Sequence, residues 1–162
     1  MSAVDYIVIA PDGEVARRDG NLDFRAELGP EGHARVPLHP SSLSAGWVND
    51  CGLLFPEKYP RNIVGSCVLI SLGARPQPYA GQVVITGWRA ENTLLGLIEI
   101  CPLRIDPAIL LAVHDDVRRA LAGEPVPSSP PGWEQDVRAH AEQLRTCPTP
   151  GITFGTVWLE GE

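Results

Sequence analysis

The chain has 162 residues, 44% of them apolar and 20% charged, and its 13 basic and 20 acidic side chains give a net charge of −7. A chain this long buries about 70% of the surface that its unfolded form exposes, so we expect one domain, residues 1–162, whose core needs neither metal nor disulfides. The acidic balance disfavours direct nucleic-acid binding, because neutralising phosphates takes clustered lysine or arginine.

The first part of the chain predicts a hairpin and a short helix. Residues 4–10 form an apolar, β-rich run, a Pro-Asp-Gly turn follows, and residues 14–17 resume the strand pattern. Residues 21–28 are typical of a short helix, and Asn21 is the expected N-cap.

An edge strand and a second hairpin are expected next. Residues 34–38 favour an edge strand, because Pro37 has no N–H to donate to an interior ladder. Residues 46–54 predict a strand, a turn at 49–52 and a returning strand.

The middle of the chain carries three β-rich runs, at residues 62–72, 82–88 and 93–100. The last two are separated by residues 89–92, a hairpin-length loop, and we expect all three to form an antiparallel meander. The longer connection, residues 73–81, is rich in proline and is expected to be exposed, with Tyr79 at its tip.

The hydrophobic period then changes from that of a strand to that of a helix. Residues 105–147 predict two helices, with Asp106 and Ser129 as their N-caps, and residues 152–159 predict a last strand that joins the sheet. The chain is therefore expected to have an α+β fold, a mainly antiparallel sheet with two or three helices packed on one face.

The four cysteines, at positions 51, 67, 101 and 147, include no closely spaced pair. Structural zinc sites generally use such pairs, so we expect no metal site, reduced thiols and Cys67 and Cys101 in the core. The N-terminal residues carry no basic region, and no apolar run approaches the length of a membrane span. We therefore expect a cytoplasmic protein with no membrane partner.

Phosphate-binding glycine motifs are missing from the sequence. There is neither a GxGxxG between a strand and a helix nor a GxxxxGK[ST], and GxSxG and HExxH are missing too. We expect no cofactor.

A cysteine nucleophile at Cys51 is the sharpest enzymatic hypothesis. Cys51 lies in a predicted turn beside Asn49 and Asp50, where a thiol is exposed more readily than in a strand. A general base is not evident, since His33, His39, His114 and His140 lie in no known catalytic signature. A small half-buried cysteine in a turn is the competing interpretation.

Aromatic side chains offer a different kind of site. Four tryptophans lie at or near the ends of predicted elements, where large rings often form contact surfaces; they are Trp47, Trp88, Trp133 and Trp158. Tyr79, at the tip of the 73–81 connection, is the aromatic residue expected to be most exposed. The alternative is that the rings close the corners of a sheet rich in glycine and proline. Arg61 and Asn62, which follow the turn at 49–52, complete the set of candidate binding residues.

Three segments of the first half carry a recognisable pattern. They are Tyr-Ile-Val-Ile at 6–9, Trp-Val-Asn-Asp-Cys-Gly-Leu-Leu at 47–54 and Pro-Arg-Asn-Ile-Val-Gly-Ser-Cys-Val-Leu at 60–69. Residues 5–88 thereby resemble a small family of unknown function, found in bacteria, plasmids and phages. That family shows an Asn-acidic-x-Gly-apolar turn, a Pro-x-Asn element and an apolar-x-Gly-apolar strand. The stretch between residues 54 and 63 is shorter here.

The family has no established activity, so the resemblance implies a context, an accessory protein of a mobile element or phage. The leading hypothesis is a non-catalytic protein-interaction or regulatory module with a protein partner of unknown identity. An exposed sheet edge would also allow a homodimer. The alternative is a small-ligand-binding protein or a cysteine-dependent enzyme with a pocket near Asp50 and Cys51.

Overall fold

A computed structural model describes residues 5–148 of the chain. Its strands are β1 (Tyr6–Ile9), β2 (Val15–Arg18), β3 (His33–Val36), β4 (Ser44–Asn49), β5 (Val83–Asn92) and β6 (Ile98–Leu103). Its α-helices are α1 (Phe24–Leu28), α2 (Ile63–Ser71), α3 (Ala108–Leu121) and α4 (Trp133–Thr146). The strands form one antiparallel sheet in the order β2-β1-β5-β4-β3, and β6 pairs with the outer half of β5.

Three helices, α2, α3 and α4, pack on one face of the sheet, of which α3 and α4 were predicted as helices and α2 was not. Alternate strand residues such as Ile7 and Ile85 point to that face and meet Leu69 of α2, Val117 of α3 and Ala141 of α4 in one buried core. The fold is α+β.

The opposite face carries a smaller core. Tyr6, Val8, Trp47 and Val84 lie there and are covered in part by Leu28 of the short helix α1. The indole Nε1 of Trp47 donates to the hydroxyl of Thr86 at 2.9 Å, so this buried ring keeps its polar atom paired.

The prediction of a strand at residues 62–72 is wrong, because this segment forms α2. The run is apolar on every side, and a short buried segment of this kind has no periodicity that separates helix from strand. Its β-branched residues favoured the strand, but the ends favour a helix. The Asn62 side chain accepts from the N–H of Gly65 at 2.8 Å as an N-cap, and Gly73 follows the helix at a φ of +106°.

Two predicted N-caps are also corrected. Asp23 caps α1 in place of Asn21, because its carboxylate accepts from the N–H of Ala26 at 3.2 Å. The predicted cap of α4, Ser129, instead donates to the carbonyl of Val126 at 2.7 Å, and the helix begins after Gly132. The Asp106 carboxylate does accept from the first N–H of α3, that of Ala108.

The β5–β6 hairpin exists, but its strands extend further than predicted. The turn lies at Thr93–Leu97 rather than at 89–92, because Gly96 takes a φ of +77° and the N–H of Thr93 bonds to the carbonyl of Leu97 at 2.7 Å. The strand expected at 93–100 therefore runs from Ile98 to Leu103. Cys101 lies half-buried on this hairpin and not in the core.

The returning strand expected within residues 46–54 is a single 3₁₀ turn, Gly52–Leu54. The hairpin at the N-terminus and the edge position of β3 are confirmed, as are the two helices near the C-terminus. The last predicted strand, residues 152–159, lies outside the described residues.

Candidate functional site

A cavity of about 760 Å³ opens beside β3, the outermost strand, and we call it the β3 pocket. Its lining comes from β3, from the end of β4 with the turn that follows, and from the 73–80 connection. The lining residues are 34–37, 48–54, 73, 75 and 77–80. A volume of this size falls within the range of about 300–1,000 Å³ that is typical of ligand sites.

One wall of the β3 pocket is a strand edge with a free backbone. The N–H of Asp50 donates to the carbonyl of Gly32 at 3.1 Å, and β3 and β4 pair from His33 opposite Asn49 onwards. Backbone direction alternates along an antiparallel strand, so the N–H and C=O groups of His33 and Arg35 point away from β4. Within residues 5–148, no strand pairs with β3 on that outer side.

The floor of the β3 pocket is apolar. Val36 and Val48 are diagonal neighbours on β3 and β4, and both are buried and project to the helix-covered face. Leu53 and Leu54 on the 3₁₀ turn and Pro78 on the connection complete this apolar surface. An extended chain laid along β3 would therefore meet backbone groups at its edge and apolar side chains on one side.

Asn49 builds the corner that presents Asp50 and Cys51. Its buried side-chain amide donates to the carbonyl of Leu28 at 2.8 Å and to the carboxylate of Glu31 at 2.9 Å. Its side-chain oxygen accepts from the N–H of Cys51 at 2.8 Å, which closes a local turn. Asn49 thus shapes the pocket with all its polar atoms already in use.

Glu31 anchors this corner from outside. Lys58 and Tyr59 both donate to its carboxylate, and together with Asn49 they hold the pKa of Glu31 down at about 2. The ionised carboxylate ties the 55–59 loop to the start of β3.

The connection at residues 73–81 is not the exposed loop that its composition predicts, and Tyr79 is only 5% exposed. The hydroxyl of Ser66 on α2 accepts from the N–H of Tyr79 at 3.0 Å, and the N–H of Asn62 donates to the Tyr79 carbonyl at 2.8 Å. Burial raises the pKa of the Tyr79 phenol, whose O–H donates to the carbonyl of Arg75. This wall is therefore fixed to α2.

The charged groups of the β3 pocket lie at its rim. Arg35 and Arg75 are exposed and line it, and neither forms an ion pair with any described residue. Asp50 lies at the corner, and Gln77 adds a neutral amide. Two cations against one anion make the rim better suited to an acidic than to a basic group.

Cys51 lines the β3 pocket half-buried, but no described residue of the lining is a histidine. His33 stacks on Phe24 with ring centroids 3.9 Å apart, on the opposite side of the sheet. His39 binds the Ser41 hydroxyl, and His114 binds the carbonyl of Gly13. Cys51 thus lines the β3 pocket, and a Cys–His pair is not observed among the described residues that line it.

The fourth histidine, His140, lies beside a different cysteine. It lines a small groove of about 180 Å³ between α2 and α4 together with Cys67. Burial raises the pKa of the Cys67 thiol to about 11, so this sulfur stays protonated at neutral pH and is a poor nucleophile. Its place in the core was predicted.

The remaining candidate residues do not line the β3 pocket. Asn62 is fully buried and donates to the carbonyls of Ile9 and Gly81. Arg61 donates to the carbonyl of Leu144 at 2.6 Å and joins the start of α2 to the end of α4. Trp47 is buried on the opposite face, and Trp88 is partly exposed on the hairpin beyond β4.

Of the eight candidates, the structure therefore brings Asn49, Asp50, Cys51 and Tyr79 together. It adds Arg35, Val36 and Arg75, which sequence reasoning missed. Pro37 indicated that β3 lies at the edge of the sheet, where a strand offers a binding surface. Nothing in the sequence indicates that the 73–80 connection lies opposite β3.

Among residues 5–148, no three metal-binding side chains come together, and no helix is both long and apolar enough to cross a membrane. No protein-family profile, no curated protein and no solved structure matches this chain.

Proposed function

We propose that the protein is a non-catalytic interaction module that binds an extended segment of a partner protein along β3. The observation that carries the proposal is the coincidence of a free strand edge with an apolar pocket beneath it. Strand addition uses both, since backbone hydrogen bonds supply affinity and pockets for alternate side chains supply selectivity.

The energetics favour a segment with large apolar residues at alternate positions. Each valine, leucine or phenylalanine side chain that is buried contributes about 1.5–3 kcal/mol. Association of two molecules costs about 4–15 kcal/mol. The burial of two or three such side chains, together with the backbone hydrogen bonds, exceeds this cost by a modest margin at most. The net free energy of binding is therefore small, and we expect weak, readily reversible binding, which suits a regulatory contact.

The rim adds a preference for acidic segments. Arg35 and Arg75 offer guanidinium groups that bind carboxylates in a bidentate manner. An accessory role, in which the partner is a host or element protein, is proposed from the sequence pattern of residues 5–88 alone.

Peptide selection on the full-length chain tests the proposal. A displayed library of random octapeptides is selected on the wild type, and the selected peptides are titrated against two variants by fluorescence anisotropy. Arg35→Pro removes an N–H that points away from β4, so the ladder to β4 stays intact while the outer donor is lost. Arg35→Ala is the matched control, because it removes the same side chain and keeps the N–H.

Peptides with alternating apolar residues are expected, and Arg35→Pro should weaken them about tenfold more than Arg35→Ala, a difference of about 1.4 kcal/mol. A failure to select any peptide contradicts the proposal. So does a set of peptides that binds both variants equally well.

A small ligand in the same pocket is the second candidate, and the volume of about 760 Å³ with two arginines at the rim favours it. Native mass spectrometry of the purified protein would then show a retained small molecule that Arg75→Ala releases. The cysteine-enzyme version requires rapid alkylation of Cys51 at pH 6–7, and slow labelling would exclude it.

A further inference from the structure

The outer part of the β5–β6 hairpin, residues 88–103, extends past the rest of the sheet, and we call it the arm. β4 begins at Ser44, opposite Gly87, so β5 has no neighbour on that side from Trp88 onwards among the described residues. A ribbon of two strands has little stability of its own in water. No residue of the arm lines the β3 pocket.

One face of the arm is apolar. Trp88 pairs with Pro102, Ala90 with Ile100, and Asn92 with Ile98, so these side chains share a face. The turn adds three exposed leucines at positions 94, 95 and 97, and Leu94 is fully exposed. Exposed apolar side chains gathered in this way are typical of interaction sites on protein surfaces, while Ile100 of the same face packs in part against the smaller core.

The two edges of the arm are not equivalent. The Thr93 N–H bonds to the Leu97 carbonyl, so by alternation Arg89 and Glu91 direct their backbone groups towards β6. The backbone groups of Trp88, Ala90 and Asn92 therefore point outwards from β5. On the β6 edge the outward set includes Pro102, which has no N–H, so the β5 edge alone carries a full set of donors.

The β5 edge is also complementary in charge to a copy of itself. If two such edges pair antiparallel with Ala90 opposite Ala90, Arg89 of each copy lies opposite Glu91 of the other, and Trp88 lies opposite Asn92. Within one chain, Glu91 stands directly opposite Glu99, a pairing of like charges that destabilises a ladder. Arg89 of the same chain already pairs with Glu91, with a guanidinium nitrogen 2.5 Å from the carboxylate, so Arg89 of a second copy would supply a second countercharge for the two carboxylates.

We propose that the occupant of this edge is a second copy of the same chain, in an isologous dimer centred on Ala90. The dimer joins the two arms into a four-stranded sheet, with the apolar faces of both arms on the same side. The turn of each arm then comes level with the start of β4 in the other copy, where Leu43 is exposed. A two-fold axis requires the same patch on both partners, which the Arg89–Glu91 pattern supplies.

Sedimentation velocity on the full chain, from about 1 to about 200 µM, tests the proposal. Wild type is expected to dimerise within this range. Ala90→Pro removes an outward N–H from both copies at the axis and should weaken the dimer by about tenfold or more. Arg89→Glu and Glu91→Arg should each do the same, because each places like charges opposite one another.

The proposed register is tested most sharply by mixing the two charge variants. An equimolar mixture of the Arg89→Glu chain with the Glu91→Arg chain restores both opposite-charge pairs, so the mixture should form a heterodimer about as strong as the wild-type dimer. Circular dichroism checks that each variant is folded, and the charge variants remain informative if Ala90→Pro is not. A wild type that stays monomeric throughout overturns the proposal, as does a dimer that these substitutions leave unchanged or a mixture that fails to associate.

Discussion

The two halves of β5 lie in opposite environments although they form one continuous strand. Val83, Val84 and Ile85 are 0% exposed, because β1 and β4 flank them and the two cores cover both faces. Trp88 and the four residues after it are exposed and pair only with β6. The length of β5 is therefore greater than the packing of the two cores requires.

The outer half therefore contributes little to the stability of the monomer. A folded chain gains free energy from the buried half, whereas the arm keeps apolar side chains in water and leaves one backbone edge unpaired. The same distinction applies to β3, which adds little to the core and presents an edge.

Asn62→Ala and Asn92→Ala remove the same kind of side chain, in the first case from the buried core and in the second from the exposed arm. Asn62 is fully buried, donates to the carbonyls of Ile9 and Gly81 and caps α2. Its loss removes two buried hydrogen bonds and the helix cap, and it should lower the free energy of unfolding by about 4 kcal/mol. Asn92→Ala, on the exposed arm, should change it by less than about 0.5 kcal/mol. Urea denaturation at low protein concentration measures both.

Leu69→Ala and Leu94→Ala compare a buried with an exposed leucine. Leu69 lies in the core of the helix-covered face, so its truncation leaves a cavity and should cost about 3 kcal/mol. Leu94→Ala should cost less than about 0.5 kcal/mol in the dilute protein. Equal shifts of the two thermal midpoints would mean that the arm is packed within the monomer.

Gly46→Ala and Gly96→Ala separate close packing from backbone conformation. A Cβ at Gly46 would lie 2.7 Å from Leu69 Cδ2, and the overpacking should cost about 2 kcal/mol. A Cβ at Gly96 meets nothing within 4 Å, so only its φ of +77° opposes alanine, at about 1 kcal/mol. Chemical denaturation gives the two values, and the reverse order would contradict this account of the arm.

The smallest effect is a pH dependence at the start of β3. The pKa of Glu31 is lowered to about 2 in the folded protein, so the stability that its ionised form contributes is fully present above the unfolded pKa of about 4.3. That contribution is lost as pH falls towards 2. The urea midpoint of the wild type should therefore fall more steeply between pH 5 and pH 2 than that of Glu31→Gln. Parallel profiles would show that the contact with Lys58 and Tyr59 contributes nothing.

The sequence predicted the parts of the fold that have a clear hydrophobic period or a turn signal. The N-terminal hairpin, the edge strand before Pro37 and the two amphipathic helices are of this kind. It failed at α2, where an apolar run that is buried on every side has no period, so that Asn62 and Gly73 at its ends were the better guide.

The candidate site was predictable only in part, because its two walls are far apart in the chain. The turn at Asn49, Asp50 and Cys51 was predicted from residue types that favour turns. Tyr79 was expected to be exposed on a proline-rich loop, and it is buried because Ser66 and Asn62 bind its backbone. Long-range contacts of this kind leave no local signal.

Amide hydrogen exchange with a selected peptide bound tests most directly the claim that β3 is the binding edge. The N–H groups of His33 and Arg35 point outwards, so binding should slow their exchange strongly while that of Ala90 on the arm stays unchanged at low protein concentration. Protection that appears elsewhere, with no change at His33 and Arg35, would contradict the account.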